Sequence, residues 1–313
     1  MTAFLALTLL AAEQAHAQDV APGSCRLIAG PRRAVIKIID AATLQLDDGS
    51  LLRLDGALPP YPPAGLGIGK DRAGGHGNLQ QAWPLLRRTR QALEKLLPGR
   101  SIKLAYGSQR KDRYGRRLAQ VFILPEAALA DAPLADIQPA NIRPADPAGD
   151  GAAATPQGDK PIWLQAYLVS RGLARAYALP GQDNCLAALI KHESKAIAAG
   201  RGLWRNAAYQ IRHAQASGEL RRFSGSYQLV EGRVLRVGRS RSRYYLNFGR
   251  NWRNDFTVAI DKKYVRRFAR NGIRIAQLAG QYIRVRGWIR LHNGPLIDVY
   301  NSGQIELLRE PAE

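Results

Sequence analysis

From residue 34 onward, apolar and β-branched residues come in short runs rather than long periodic stretches. Ala34-Val35-Ile36-Lys37-Ile38-Ile39 is one run, and Thr43-Leu44-Gln45-Leu46 alternates. Leu51-Leu52-Arg53-Leu54 resumes the pattern after the turn residues Asp47-Asp48-Gly49-Ser50. Such runs, punctuated by Asp and Gly, predict a meander of three strands. The Pro/Gly-rich stretch 59–78 is incompatible with regular structure. Trp83, Leu86, Arg90, Leu93 and Leu97 then fall near helical spacing, which predicts a helix over 80–97 stopped by Pro98-Gly99. Strands follow over 101–106 and 118–123, joined by a very basic turn. Residues 126–160 are rich in Ala, Pro, Asp and Gly and read as an inserted loop. Two more helices are predicted over 162–171 and 185–199.

A linker near Ala216-Ser217-Gly218 leads to a second unit. Residues 227–237, 243–248 and 256–260 read as strands, and Asp261 can cap a short helix ending at Asn271-Gly272. Two final strands are expected over 282–289 and 296–300. Five short strands with a helix between the third and fourth is the order of an OB-fold barrel. The first unit has the same plan with helices added. The expected fold is therefore mainly β with α: a five-stranded barrel with helices over 30–216, then a basic OB-like barrel over 218–313.

Charge sharpens this outline. The 313 residues carry 46 Lys+Arg against 25 Asp+Glu, a formal net charge of +21. Such an excess attracts polyanions, with nucleic acid foremost. Residues 218–313 hold 19 Lys+Arg against 8 Asp+Glu, a net +11, so the basicity is concentrated there. Arg239-Ser240-Arg241-Ser242-Arg243-Tyr244-Tyr245 and Phe248-Gly249-Arg250-Asn251-Trp252-Arg253 interleave cations with aromatics. OB-folds hold single strands that way, with Arg on phosphates and aromatic faces under bases. On this reading Arg241, Arg243, Tyr245, Arg250 and Trp252 are candidate nucleic-acid contacts. The competing reading is that the aromatics fill a small barrel core and the arginines face water.

The N-terminus suggests export. Residues 4–12 are a short apolar run, and Ala15-His16-Ala17 offers a small-x-small cleavage site before Gln18. The run is too short to span a bilayer, so residues 1–17 read as a signal peptide for a periplasmic or secreted protein with no membrane span. Cys25 and Cys185 are the two cysteines; in an oxidising compartment they form a plausible disulfide, and otherwise two buried thiols. Gly65-Leu66-Gly67-Ile68-Gly69-Lys70 lacks phosphate-loop spacing, and the five histidines have no paired zinc spacing.

Several segments together resemble the staphylococcal-nuclease (thermonuclease) family. Ile39-Asp40-Ala41-Ala42-Thr43-Leu44 stands where that family has Asp-Gly-Asp-Thr. Asp48 through Gly56 is similar to its strand bearing a catalytic Arg, and Asp112-Arg113-Tyr114-Gly115-Arg116-Arg117-Leu118-Ala119 to its most diagnostic string. Val169-Ser170-Arg171-Gly172-Leu173-Ala174 and Gly200-Arg201-Gly202-Leu203-Trp204 are similar to its later helix ends. The resemblance spans 34–205 and says nothing of 218–313.

It implies a fold and calcium-dependent phosphodiester hydrolysis. In the family, carboxylates hold the ion, a Glu assists the attacking water, and two arginines bind the phosphate. Arg53 and Arg116 stand at the two arginines, with Arg113 and Tyr114 beside them, and Thr43 at a backbone contributor to the metal site. The acidic positions differ: Ala42 and Leu58 stand at metal-ligand Asp positions and Tyr61 at the catalytic Glu. None of the three can replace a carboxylate on a hard cation. Asp40, Asp55 and His76 are residual candidates for a rebuilt metal site, although Asp in a turn or strand end is ordinarily solvated. The expectation is a catalytically degenerate nuclease-fold protein, with no bound cofactor, that holds nucleic acid or another anionic polymer. The alternatives are a divergent metal-dependent phosphodiesterase with relocated acids, and an envelope scaffold with an unknown protein partner.

Overall fold

The computed structural model describes residues 25, 27–63, 83–125, 161–180, 185–251 and 253–309. The expected signal peptide, the Gly-rich loop with His76, the 126–160 insert and Trp252 lie outside them.

In chain order the first strands are β1 (Ile28–Ile38), β2 (Thr43–Leu46), β3 (Leu51–Leu54) and β4 (Ala57–Leu58). Helix α1 (Pro84–Leu96) follows, then β5 (Ser101–Tyr106), β6 (Arg117–Ile123) and β7 (Ile162–Trp163). Next come α2 (Leu164–Ser170), β8 (Arg175–Ala176), α3 (Leu186–Ala198) and β9 (Arg212–His213). Five of these strands close a barrel. β1 pairs antiparallel with β2 and β5, β2 with β3, and β5 with β6, while β3 runs parallel to β6. Alternation explains the closure: Leu44, Leu46, Leu52, Leu54, Leu104 and Val121 all point inward and are buried together. Helix α1 buries Leu86, Thr89, Leu93 and Leu96, one stripe at helical spacing. The predicted helix over 162–171 begins two residues late, because Ile162 and Trp163 pair with Phe122 and Ile123 as a strand.

The remaining elements are α4 (Ser217–Arg222), β10 (Tyr227–Arg233), β11 (Arg236–Arg239), β12 (Arg243–Asn247) and β13 (Thr257–Asp261). They continue with α5 (Val265–Arg270), β14 (Tyr282–Leu291), β15 (Pro295–Val299) and β16 (Ile305–Leu307). The sheet runs β11-β12-β13-β15-β14-β10-β9, with β16 beside β14. It curls over Leu246, Phe256, Val258, Ile283, Val285 and Ile297. β10 and β11, far apart in this order, follow each other directly along the chain, and β13 runs parallel to β15. The region expected to be a linker opens helix α4 instead, and β9, upstream of it, already pairs with β10.

Two glycines in the segments that carry the resemblance meet face to face. Gly172 and Gly202 both have positive φ, and Leu203 N–H donates to Gly172 C=O at 2.9 Å. A Cβ on Gly172 would stand 2.1 Å from Arg201 O, so this helix-end junction requires glycine.

The two parts share a packed interface. Leu58, Leu203, Trp204 and Tyr209 cluster with Tyr227 and Leu229 of β10. Tyr227 Oη donates to Ala176 O at 3.1 Å, and Tyr300 Oη to Ala178 O at 2.9 Å. At the centre, Arg286 of β14 reaches Glu193 of α3 and Glu306 of β16. A disulfide joins Cys25 to Cys185 across 160 positions. Among the described residues no helix is long and apolar enough to cross a membrane.

Candidate functional site

Antiparallel pairing sets Thr43 directly opposite Arg53, and parallel pairing sets Arg53 beside Leu118 of β6. Leu52 and Leu54 turn into the barrel core, so Arg53 between them turns outward. Arg116 immediately precedes β6. Its Nη1 lies 3.5 Å from Thr43 Oγ1, so the register brings both arginines to one wall of the barrel.

Their surroundings differ. Arg116 is forked onto Asp112 Oδ2, with Nε at 2.8 Å and Nη2 at 2.7 Å. Burial works against the Asp112 charge, yet the Arg116 side chain and two backbone N–H groups hold its carboxyl below the usual range. No hydrogen bond or ion pair joins Arg53 to another described residue. Arg53 and Arg116 both act on the Tyr61 phenol, which burial and Asp40 nonetheless push up to about 12. Tyr61 is therefore a neutral hydroxyl at neutral pH.

Asp55 is buried, not solvated as a strand-end Asp ordinarily is. Burial pushes its carboxyl up to about 6, against the opposing pull of the Gly56 N–H and Arg53. Asp40 takes another role: its Oδ1 accepts from Ala42 N–H at 2.7 Å and closes the turn into β2. Ala42 and Leu58 are buried apolar side chains. Among the described residues, this wall offers no set of free carboxylates for a calcium ion. The nearby carboxylates are spent on Ala42 N–H (Asp40), on Arg116 (Asp112) and on a buried, easily protonated position (Asp55). Among the described residues no group of three or more His, Cys, Asp or Glu side chains converges as a metal site.

The raised Asp55 carboxyl has a consequence for stability. An Asp that binds its proton more tightly folded than unfolded favours the fold below pH 3.8, and that contribution is lost as pH rises through about 6. That difference in proton affinity corresponds to about 3 kcal/mol. Asp55→Asn keeps an oxygen for Gly56 N–H and carries no charge. It will match the wild type in urea unfolding at pH 4 and exceed it at pH 7.5 by as much as about 3 kcal/mol.

The other predicted contacts scatter. Arg113 and Tyr114 lie exposed on the β5–β6 turn, where Arg113 Nη2 donates to Tyr114 Oη at 2.6 Å. Arg116 also stacks over the Tyr114 ring, 5.2 Å from its centroid. Arg241 and Arg250 are exposed, at the β11–β12 turn and beyond β12 respectively. Arg243 pairs with Asp298 at 3.2 Å, and Arg290 shares that same carboxylate. Tyr245 lines a pocket of about 370 Å³, whose wall also includes Arg236, Arg239, Asn247, Thr257 and His292. Sequence reasoning missed these companions; the Arg236-Val237-Gly238-Arg239 strand, with cations flanking a glycine opposite an aromatic, was the signal available.

No protein-family model matches the chain, and no curated protein matches it either.

Proposed function

We propose that this protein holds nucleic acid or another anionic polymer without cutting it, on a degenerate staphylococcal-nuclease-type barrel followed by an OB-type barrel. With β10 and β11 counted as one interrupted strand and the short β9 and β16 set aside, both parts run first, second, third, fifth, fourth strand and back toward the first, with a parallel third–fifth pair and a helix before the fourth. That shared order supports two barrels of one kind. The observation that carries the function is the wall around Arg53. Two guanidiniums face the same phenol, while the positions that the resemblance assigns to carboxylates hold Ala42, Leu58 and a neutral Tyr61. Arg53, with no described ion-pair partner, is open to a phosphate oxygen, and Arg116 is oriented by Asp112. The net charge of +21 supports an anionic partner. The Cys25–Cys185 disulfide supports an exported protein.

Fluorescence anisotropy with labelled single-stranded and duplex DNA tests this. Binding at low salt should weaken steeply as salt rises. The Arg53→Ala/Arg116→Ala double variant should weaken it about tenfold or more, the scale of a lost charge-assisted hydrogen bond. Absence of binding at low salt would overturn the proposal. The phosphodiesterase reading draws on Asp55, whose raised carboxyl beside Arg53 has the tuning of an acid–base group. Strand cleavage that disappears in Arg116→Ala would establish that reading instead.

A further inference from the structure

We infer that the pocket on the second sheet takes one unpaired nucleotide, base and phosphate together. This rests on the proposed function for its anion preference and narrows the partner to nucleic acid with free bases.

Register builds the pocket floor. Leu246 and Val258 point into the core, so Tyr245, Asn247 and Thr257, their neighbours along β12 and β13, face the other way. Arg236, Asn247 and Thr257 form one row across β11, β12 and β13, and Gly238 and Tyr245 stand opposite each other in the next. Gly238 puts no side chain against the Tyr245 ring. That leaves an aromatic face at the floor of a cavity of about 370 Å³, within the size range of small-ligand sites.

The polar groups in this cavity are specific in kind. Asn247 is only 6% exposed, and its Oδ1 accepts from Thr257 Oγ1 at 3.5 Å. Its Nδ2 has no partner among the described residues and is left for a ligand acceptor. Arg236, Arg239 and His292 stand exposed around it, and the described residues of the wall include no carboxylate. Asp298, nearby on β15, is already spanned by Arg243 and Arg290. Two guanidiniums ask for an anion. A tyrosine face beside an unpaired amide donor asks for a planar heteroaromatic ring with an acceptor on its edge. A nucleotide supplies both, whereas polyphosphate or a sulfated glycan leaves Tyr245 and Asn247 unused. In a duplex the base is stacked and paired, so the strand must be single.

The test measures full-length protein binding to labelled oligothymidylate, to the same strand in duplex, and to labelled inorganic polyphosphate. Tyr245→Leu is expected to weaken the single strand by about tenfold and to leave polyphosphate unchanged, whereas Tyr245→Phe keeps single-strand affinity. Gly238→Val gives an independent arm should Tyr245→Leu fail to fold. A Cβ there meets only ordinary contacts, at 3.5 and 3.8 Å, and the branches fill the space above the ring. It should reproduce the selective loss. If wild type binds the single strand and polyphosphate, and Tyr245→Leu or Gly238→Val lowers neither or lowers both equally, the pocket falls while polyanion binding stands. If wild type binds neither polymer, both proposals fall.

Discussion

Replacing Arg286 with Met will cost the protein about 3–5 kcal/mol, the scale for breaking a buried ion pair, and adding Glu193→Gln will return most of it. Arg286 is 1% exposed, and its guanidinium bridges Glu193, which is fully buried on α3, and Glu306 on β16. Burial alone would lower its affinity for its proton, but the two carboxylates more than offset that and the net direction is up. Methionine fills much of the same space yet leaves the Glu193 carboxylate with the Ala176 N–H, 2.7 Å away, as its hydrogen-bond donor and the buried Arg175 guanidinium as its one nearby described cation. A buried charge left behind, more than lost packing, is the source of the deficit. Glu193→Gln keeps the oxygen that Ala176 needs and removes the charge, so the double variant should recover. Guanidinium unfolding of the four members of this cycle checks it. Losses that simply add would place the effect in packing and defeat the electrostatic account.

Much of the strand pattern was legible before the structure. The second unit's strands at 243–248, 256–260, 282–289 and 296–300 fall within two residues of β12, β13, β14 and β15, because each alternates and each is bounded by Gly, Pro, Asn or Asp. Partnership across the chain was not legible. Tyr-Ile-Arg-Val-Arg-Gly-Trp-Ile-Arg-Leu reads as a strand with Ile283, Val285 and Ile289 inside and arginines in water. The face bearing Arg286 packs instead against the first barrel, and no local pattern distinguishes a covered polar face from a solvated one. Glu193 did carry a signal: it falls in register with Leu186, Leu189 and Ala196 on the buried stripe of α3. An acid on an apolar stripe requires a cation from elsewhere. Asp55 escaped for a similar reason, since burial at a strand end depends on residues from elsewhere in the chain, of which Tyr177 lies within electrostatic reach of it. The arginine pair, in contrast, was expected from the family resemblance alone, and the Thr43–Arg53 register with Arg116 one step before β6 supplies its geometry.

Reducing the Cys25–Cys185 disulfide will lower stability by about 4–5 kcal/mol, the chain-entropy figure for a loop of this length. The bond closes 160 positions, and both cysteines are buried in the first core. The stabilisation comes largely from the unfolded chain, which loses the freedom to separate the start of β1 from the start of α3. Guanidinium unfolding with and without dithiothreitol measures it, and Cys25→Ala/Cys185→Ala should show the lower stability in both conditions. A wild type unmoved by reductant would remove the premise. The bond also bears on the interface. Cys185 immediately precedes α3, the helix that carries Glu193 to Arg286. When the bond is open, the first turn of that helix is held by packing alone. The Arg286–Glu193 pair then loses part of the rigid geometry that offsets its burial. The Arg286→Met deficit should therefore be smaller in reduced protein than in oxidised protein. Equal deficits in the two states would mean that the helix is positioned by its core contacts and that the disulfide acts on the unfolded chain alone.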